Sequence, residues 1–233
     1  MPRPPRIFIP DVAQHARQRG IDGQATFFDD ADREFYLRCL AETAHWYELS
    51  VHAYCLMTNH VHLLVTPRKE HSLWRAMQRL GGQYVRHVNA RYRRTGTLWD
   101  GRYKSCPVDN DNYLLTCQRY IELNPLRSGL VDSPEVYPWS SYRTSALGRS
   151  DALVSPHPVY MELGKEAQAR RAAYRALCEE QLTDEALEEI RRALRHNHVL
   201  GTKRFRAQVE AMLGRSVGPG RPGRPRSKRR GGN

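Results

Sequence analysis

The chain has 233 residues, a formal net charge of +12 and a pI of about 9.8. This length allows one well-packed core with an appendage, and the charge favours a polyanionic partner, with nucleic acid ahead of an anionic membrane. Transmembrane and secreted classes are not expected, because no run of about 18 apolar residues occurs and the N-terminus has no apolar signal segment.

The cysteines argue against a disulfide framework and a zinc knuckle. They are odd in number and form no CxxC pair, so reduced thiols in a cytosolic protein are expected. The five are Cys39, Cys55, Cys106, Cys117 and Cys178.

The first third of the chain predicts a strand, a helix and a β-hairpin. Residues 12–19 (VAQHARQR) form a candidate strand that ends at Gly20. A helix is expected from Asp29 and Asp30, followed by apolar residues at helical spacing. Residues 49–57 predict a second strand, which turns at Thr58 and Asn59 into a third.

The third strand carries two histidines on one face. Side chains alternate along a strand, so His60, His62 and Leu64 project together, while Val61 and its alternates face the core. Two adjacent imidazoles form a candidate pair of metal ligands. The alternative, two polar residues on a half-exposed strand, is favoured for an HxH pair in isolation.

A second helix is expected over residues 72–92, with Ser72 as its cap and a face rich in arginine that includes Arg86. Such a face either contacts nucleic acid or is simply solvated. The following segment places aromatic residues between cations, at Arg102, Tyr103 and Lys104. That pattern suits single-stranded nucleic acid, although an aromatic edge strand is an equal alternative.

A third helix, from residue 112 to about 123, ends at Pro125. Tyr113, Cys117, Tyr120 and Asn124 lie on one stripe of it. Packing against the sheet accounts for the first two members well. It accounts less well for an asparagine at the helix end, which suggests a function for Asn124.

The C-terminal part predicts a linker and charged helix over 146–182, then a helical hairpin over 183–213 that resembles a helix-turn-helix. Thr183 and Thr202 are the expected caps. Residues 214–233 form a basic tail, disordered by composition, with repeated Gly-Arg-Pro like an AT-hook of the DNA minor groove. In the AT-hook interpretation, the candidate DNA contacts of the tail are Arg221, Arg224, Arg226, Lys228, Arg229 and Arg230. The alternative is a tail that only increases solubility.

Together these residues suggest a phosphodiester site. A divalent ion held by His60, His62 and the Asn124 carboxamide can polarise a phosphate. Tyr120 or Tyr113 can attack phosphorus, and the phosphotyrosine link conserves the energy of the broken bond for rejoining. Tyr120 is the nearer to Asn124 by a full helical turn.

The motifs YCLMTNHVHLLV, GRYKS, YIELNPLRSGLV and YPWSSY, in this order, resemble single-tyrosine HUH transposases. Within that insertion-sequence-200-like superfamily they resemble the REP-associated tyrosine transposases. The resemblance covers residues from about 6 to 142 and includes QHARQRG, where the branch has His-x-x-x-Arg-Gly.

The resemblance implies an α+β fold, with a ferredoxin-like core whose central antiparallel sheet is flanked by helices, over residues 1–145. It assigns His60, His62 and Asn124 as ligands of Mg²⁺ or Mn²⁺ and Tyr120 as the nucleophile. It also implies cleavage and rejoining of single-stranded DNA near an imperfect, palindromic hairpin through a 5′-phosphotyrosine. The family's behaviour implies a homodimer, with a monomer as the alternative that its REP-associated branch implies. The expected location is the bacterial cytoplasm, in association with the nucleoid. A DNA-binding regulator without catalysis is the alternative function.

Overall fold

The computed structural model describes residues 6–218, apart from the side chain of Asp111. Four strands form one sheet: β1 Gln14–Arg19, β2 Leu49–Leu56, β3 His60–Pro67 and β4 Lys104–Pro107. The helices are α1 Asp30–Trp46, α2 Ser72–Arg91, α3 Asn110–Glu122, α4 Asn124–Arg127, α5 Tyr142–Ser145, α6 Pro158–Met161, α7 Ala167–Glu179, α8 Asp184–His196 and α9 Lys203–Leu213.

The sheet has the order β2-β3-β1-β4, and every pair in it is antiparallel. With α1 between β1 and β2, and α2 between β3 and β4, the connectivity is that of a ferredoxin-like fold. The predicted α+β class and central antiparallel sheet are confirmed.

Each face of the sheet is buried by a different pair of helices. On one face, Val61, Leu63 and Val65 of β3 join a core with α1 and α2. On the other, Leu64 packs in a core with residues of α3 and α8. The predicted alternation along β3 is therefore confirmed, but the strand is covered on both faces. Burial on both sides leaves His62 only 1% exposed, while His60, at the start of the strand, is half-buried.

Side-chain caps account for the starts of several helices, including α1, α8 and α9. Asp29 accepts a hydrogen bond from the Asp32 backbone N–H at α1, and Thr183 and Thr202 cap α8 and α9 in the same way. The predicted Ser72 cap is wrong, since its Oγ accepts from the Lys69 N–H in the turn before α2.

The C-terminal helices pack onto the core. Tyr174 of α7 is buried and donates its hydroxyl hydrogen to Glu122 of α3, 2.7 Å away. The helix-turn-helix-like pair differs from an isolated module, because Ile190 and Leu194 of α8 are buried with α3 and β3. The helices pack on the core because the apolar residues of α8 are removed from water only when another surface covers them.

The first residues after the composition change at 214 still pack against the rest of the protein. Val217 is buried with Ile7, Ile9 and Val199, and its N–H donates to the Glu210 carboxylate. The tail contacts predicted from Arg221 to Arg230 lie outside the described residues.

Within residues 6–218, no helix is long and apolar enough to cross a membrane. The five cysteines are free thiols there, as their number and spacing suggested.

Candidate active site

The predicted histidines and Tyr120 meet on the sheet face that α3 covers. The ring centroids of His60 and His62 are 4.9 Å apart, and those of His62 and Tyr120 are 5.7 Å apart. Tyr120 is buried, with 6% of its surface exposed. The period of two along β3 and the packing of α3 across the sheet thus bring together residues about 60 positions apart.

A third histidine completes the cluster. It is the histidine of QHARQRG, to which the sequence analysis assigned no role. His15 of β1 is fully buried, and its Nε2 lies 2.7 Å from Nδ1 of His62. Its ring also meets Tyr120 edge-on, at 5.8 Å between centroids. The pairing of β1 with β3 brings it beside His62, since strand register sets which side chains are neighbours.

Hydrogen bonds define which ring nitrogens are available. Nδ1 of His60 lies 2.6 Å from Oδ1 of Asn59. That oxygen only accepts, so Nδ1 of His60 carries the proton and Nε2 keeps its lone pair. In His62, Nδ1 is engaged by His15, and Nε2 is the remaining candidate ligand atom.

Burial keeps all three imidazoles neutral at pH 7. It lowers the pKa of His15 to about 3 and that of His60 to about 4, and the positive charge of Arg17 adds to both shifts. The pKa of His62 is also well below its ordinary value, chiefly through burial. Neutral imidazoles are the form that binds metal ions.

Two arginines make the site positive. The guanidinium carbon of Arg127 lies 4.4 Å from the centre of the Tyr120 ring, and its Nη2 donates to the Tyr120 carbonyl oxygen at 2.7 Å. Burial lowers the pKa values of Arg127 and Arg17, and their proximity to Tyr120 acts in the opposite direction on both. Arginine stays protonated in proteins, so this site suits a phosphate and a phenolate.

Asn124 is the first residue of α4 and follows Tyr120 by one helical turn. It is half-buried, and its carbonyl oxygen accepts from the Ser128 N–H at 3.0 Å. Among the described residues, no group of three or more His, Cys, Asp or Glu side chains could hold a metal. The donors that the sequence predicts are instead two imidazoles and a carboxamide oxygen.

The residues predicted to contact nucleic acid are separated in the fold. Arg102 and Tyr103 precede β4 beside α2, on the sheet face opposite Tyr120, and Arg86 is on α2. Tyr103 is buried in the core, with the Arg6 guanidinium 3.7 Å above its ring, so it offers no open stacking face. Lys104 donates to the Arg195 carbonyl at 2.9 Å, near the end of α8.

Comparison with known proteins identifies a related family. Residues 22–124 match the model of the IS200-like transposases. No curated protein matches significantly.

Two solved structures are similar. A REP-associated tyrosine transposase bound to a REP hairpin is 13% identical, with a TM-score of 0.54, and covers 67% of this chain and 99% of its own. A protein assigned as a transposase of Deinococcus radiodurans is 20% identical, with a TM-score of 0.37, over 52% of this chain and 95% of its own. The first similarity shows a shared fold.

Proposed function

We propose that the protein is a DNA transposase that cleaves and rejoins single-stranded DNA, because residues 22–124 match the model of the IS200-like transposases. The observation that carries the proposal is the placement of the Tyr120 ring against His15 and His62, with the Arg127 guanidinium over it.

Tyr120 is the proposed nucleophile. Its phenolic oxygen forms a bond to phosphorus as the bond from phosphorus to the 3′ oxygen breaks. The phenol loses its proton, the leaving 3′ oxygen gains one, and the 5′ end stays on the protein as a phosphotyrosine. Attack by another 3′-hydroxyl reverses these steps and joins the new strand.

Three side chains would hold a divalent ion: His60 and His62 through Nε2, and Asn124 through its carboxamide oxygen. Bound there, Mg²⁺ or Mn²⁺ supplies Lewis-acid polarisation of the scissile phosphate. The half-buried Arg17 and the more exposed Arg127 add fixed positive charge around the same phosphate.

The proposed substrate is single-stranded DNA with an imperfect, palindromic hairpin. The transposase of the same fold is bound to a REP hairpin, and the positive charge of this chain suits DNA. These properties support action at the bacterial nucleoid in the cytoplasm. The test is to incubate the protein with end-labelled hairpin DNA and look for a labelled protein band on a denaturing gel.

The alternative is a regulator that binds repeat hairpins without cleaving them. It would account for the basic charge equally well. It would leave unexplained why a tyrosine, two histidines with free ring nitrogens and two arginines converge at one point. A persistent failure to form the labelled adduct, with hairpin binding intact, would favour the regulator.

We also propose a homodimer, because exchanging strands requires two tyrosines acting on two DNA ends and symmetric dimers are the commonest oligomers. Light scattering should give a mass of two 27.0 kDa chains for the free protein, and the same protein mass for its hairpin complex once the mass of the DNA is subtracted. A single-chain mass in both samples would contradict this.

The tail beyond Gly218 should add affinity without choosing the cleavage position. Its six cations each release counterions on binding, with a log–log salt slope of roughly 0.7 per contact on single strands. Truncation after Gly218 keeps the buried Val217 and should reduce the slope by up to about 4, with the cut unchanged. Filter binding over a salt series and mapping of the cut measure both, and a shifted cut would show that the tail reads sequence.

A further inference from the structure

A groove of about 660 Å³ lies on the sheet face opposite Tyr120. It runs between α2, the end of β1 and the segment that precedes β4, and we name it the α2 groove. Its volume is in the range of about 300–1,000 Å³ that is usual for ligand sites. The residues that line it include Arg6, Gln18, Trp74, Gly82, Trp99 and Arg102.

Gly82 leaves the groove open in the middle of a long helix. Glycine destabilises a helix interior relative to alanine, so its presence at position 82 is not explained by helix stability. A Cβ at Gly82 would meet only Nη1 of Arg86, at 3.6 Å, which is an ordinary contact. Packing therefore does not require glycine there, but a side chain would extend into the groove.

Aromatic and cationic groups line the groove walls. Trp74 is 43% exposed, although it is one of the largest apolar side chains, while Trp99 is buried in the wall. Arg6 and Arg102 supply positive charge, and none of the described lining residues is acidic. The guanidinium carbon of Arg75 lies 5.4 Å from the centre of the Trp74 ring. An exposed indole in a cationic groove suits a nucleobase stacked on the ring and its phosphate paired with arginine.

Gln18 of β1 provides a polar group at the same wall. Its carboxamide oxygen is buried and has no hydrogen-bond partner among the described residues. An unsatisfied buried acceptor is unfavourable, so a donor that reaches it is bound preferentially. The last torsion of glutamine is soft, and its carboxamide matches the hydrogen-bonding edge of a base.

We propose that the α2 groove binds an unpaired nucleotide from the single-stranded segment next to the hairpin. Trp74 stacks on the base, Gln18 bonds its edge, and Arg6 and Arg102 contact the phosphates. This inference rests on the proposed function, since that function makes such DNA the substrate. It adds a site remote from Tyr120 that senses single-stranded DNA beside the hairpin.

The test compares binding of three DNA probes: a blunt hairpin, the same hairpin with a single-stranded flank, and one with an abasic flank. All variants carry Tyr120→Phe and are measured in EDTA, so cleavage plays no part. Gly82→Leu should fill the groove and weaken binding of the flanked hairpin about tenfold, with the blunt hairpin unchanged. The parent protein should prefer the base-bearing flank to the abasic flank by a similar factor.

Two controls separate groove filling from general damage. Gly82→Ala adds one methyl group, favours the helix in the same way and should change binding less than Gly82→Leu. Trp74→Ala should reproduce the Gly82→Leu effect, while Trp46→Ala removes a 66% exposed tryptophan outside the groove lining and should have no effect. Circular dichroism checks that each variant is folded.

Unchanged binding of the flanked hairpin by folded Gly82→Leu would overturn the proposal. An equal loss of affinity for all three probes would also overturn it, because the effect of the groove would then not depend on unpaired bases. Absence of hairpin binding by the parent protein would refute the proposed function itself.

Discussion

Tyr120→Phe is expected to abolish cleavage of hairpin DNA and the labelled covalent band. The substitution removes only the phenolic oxygen, which is the atom proposed to bond to phosphorus, and leaves the ring packed against His15 and His62. A denaturing gel with end-labelled single-stranded hairpin measures both products. Hairpin binding should persist, since the arginines around the site remain.

Tyr113→Phe is the matched control on the same stripe of α3. The Tyr113 hydroxyl donates to Oε2 of Glu189, 2.9 Å away. Burial and that carboxylate both raise the pKa of Tyr113, which disfavours the phenolate. Its variant should therefore keep cleavage and adduct. Loss of activity in Tyr113→Phe with retention in Tyr120→Phe would reverse the assignment.

His62→Ala is expected to lose Mn²⁺ binding and to slow cleavage by about 10²–10³-fold, because it removes a ligand of the ion that polarises the phosphate. Calorimetric titration with Mn²⁺ gives the affinity, and single-turnover cleavage gives the rate. EDTA should stop cleavage by the unmodified protein. Undiminished cleavage in EDTA, or by His62→Ala, would rule out the metal site.

The contact between His15 and His62 allows a test of whether His15 contributes to Mn²⁺ binding. If His15 accepts from Nδ1 of His62, it fixes the tautomer that leaves Nε2 free to bind the ion. His15→Leu should then weaken Mn²⁺ binding by about 10–100-fold, whereas His15→Gln, which retains an acceptor, should weaken it less. Nitrogen NMR of the metal-free protein should show His62 protonated at Nδ1.

His52→Leu provides the control for losing a buried, hydrogen-bonded histidine. Its ring bonds to Thr66 and Ser155, at 2.8 Å and 2.7 Å, away from the cluster. Mn²⁺ affinity should be unchanged in this variant. Equal affinities for His15→Leu and His15→Gln would show that His15 acts through packing alone.

The sequence by itself determined the features that depend on local periodicity and capping. The alternation along β3 put His60 and His62 on one face, and the helical stripe put Tyr120 one turn before Asn124. The caps Asp29, Thr183 and Thr202 marked helix starts, because each side-chain oxygen bonds a backbone N–H three positions on. These are properties of neighbouring residues, which a single sequence displays directly.

Only the tertiary structure decided which distant residues became neighbours. The register of β1 on β3 places His15 against His62, 47 positions along the chain. The packing of α3 and α4 brings Arg127 over Tyr120, and the pairing of β4 with β1 buries Tyr103 near α2, away from Tyr120. Strand register and helix packing are selected by the summed burial of both surfaces, so no local pattern specifies them.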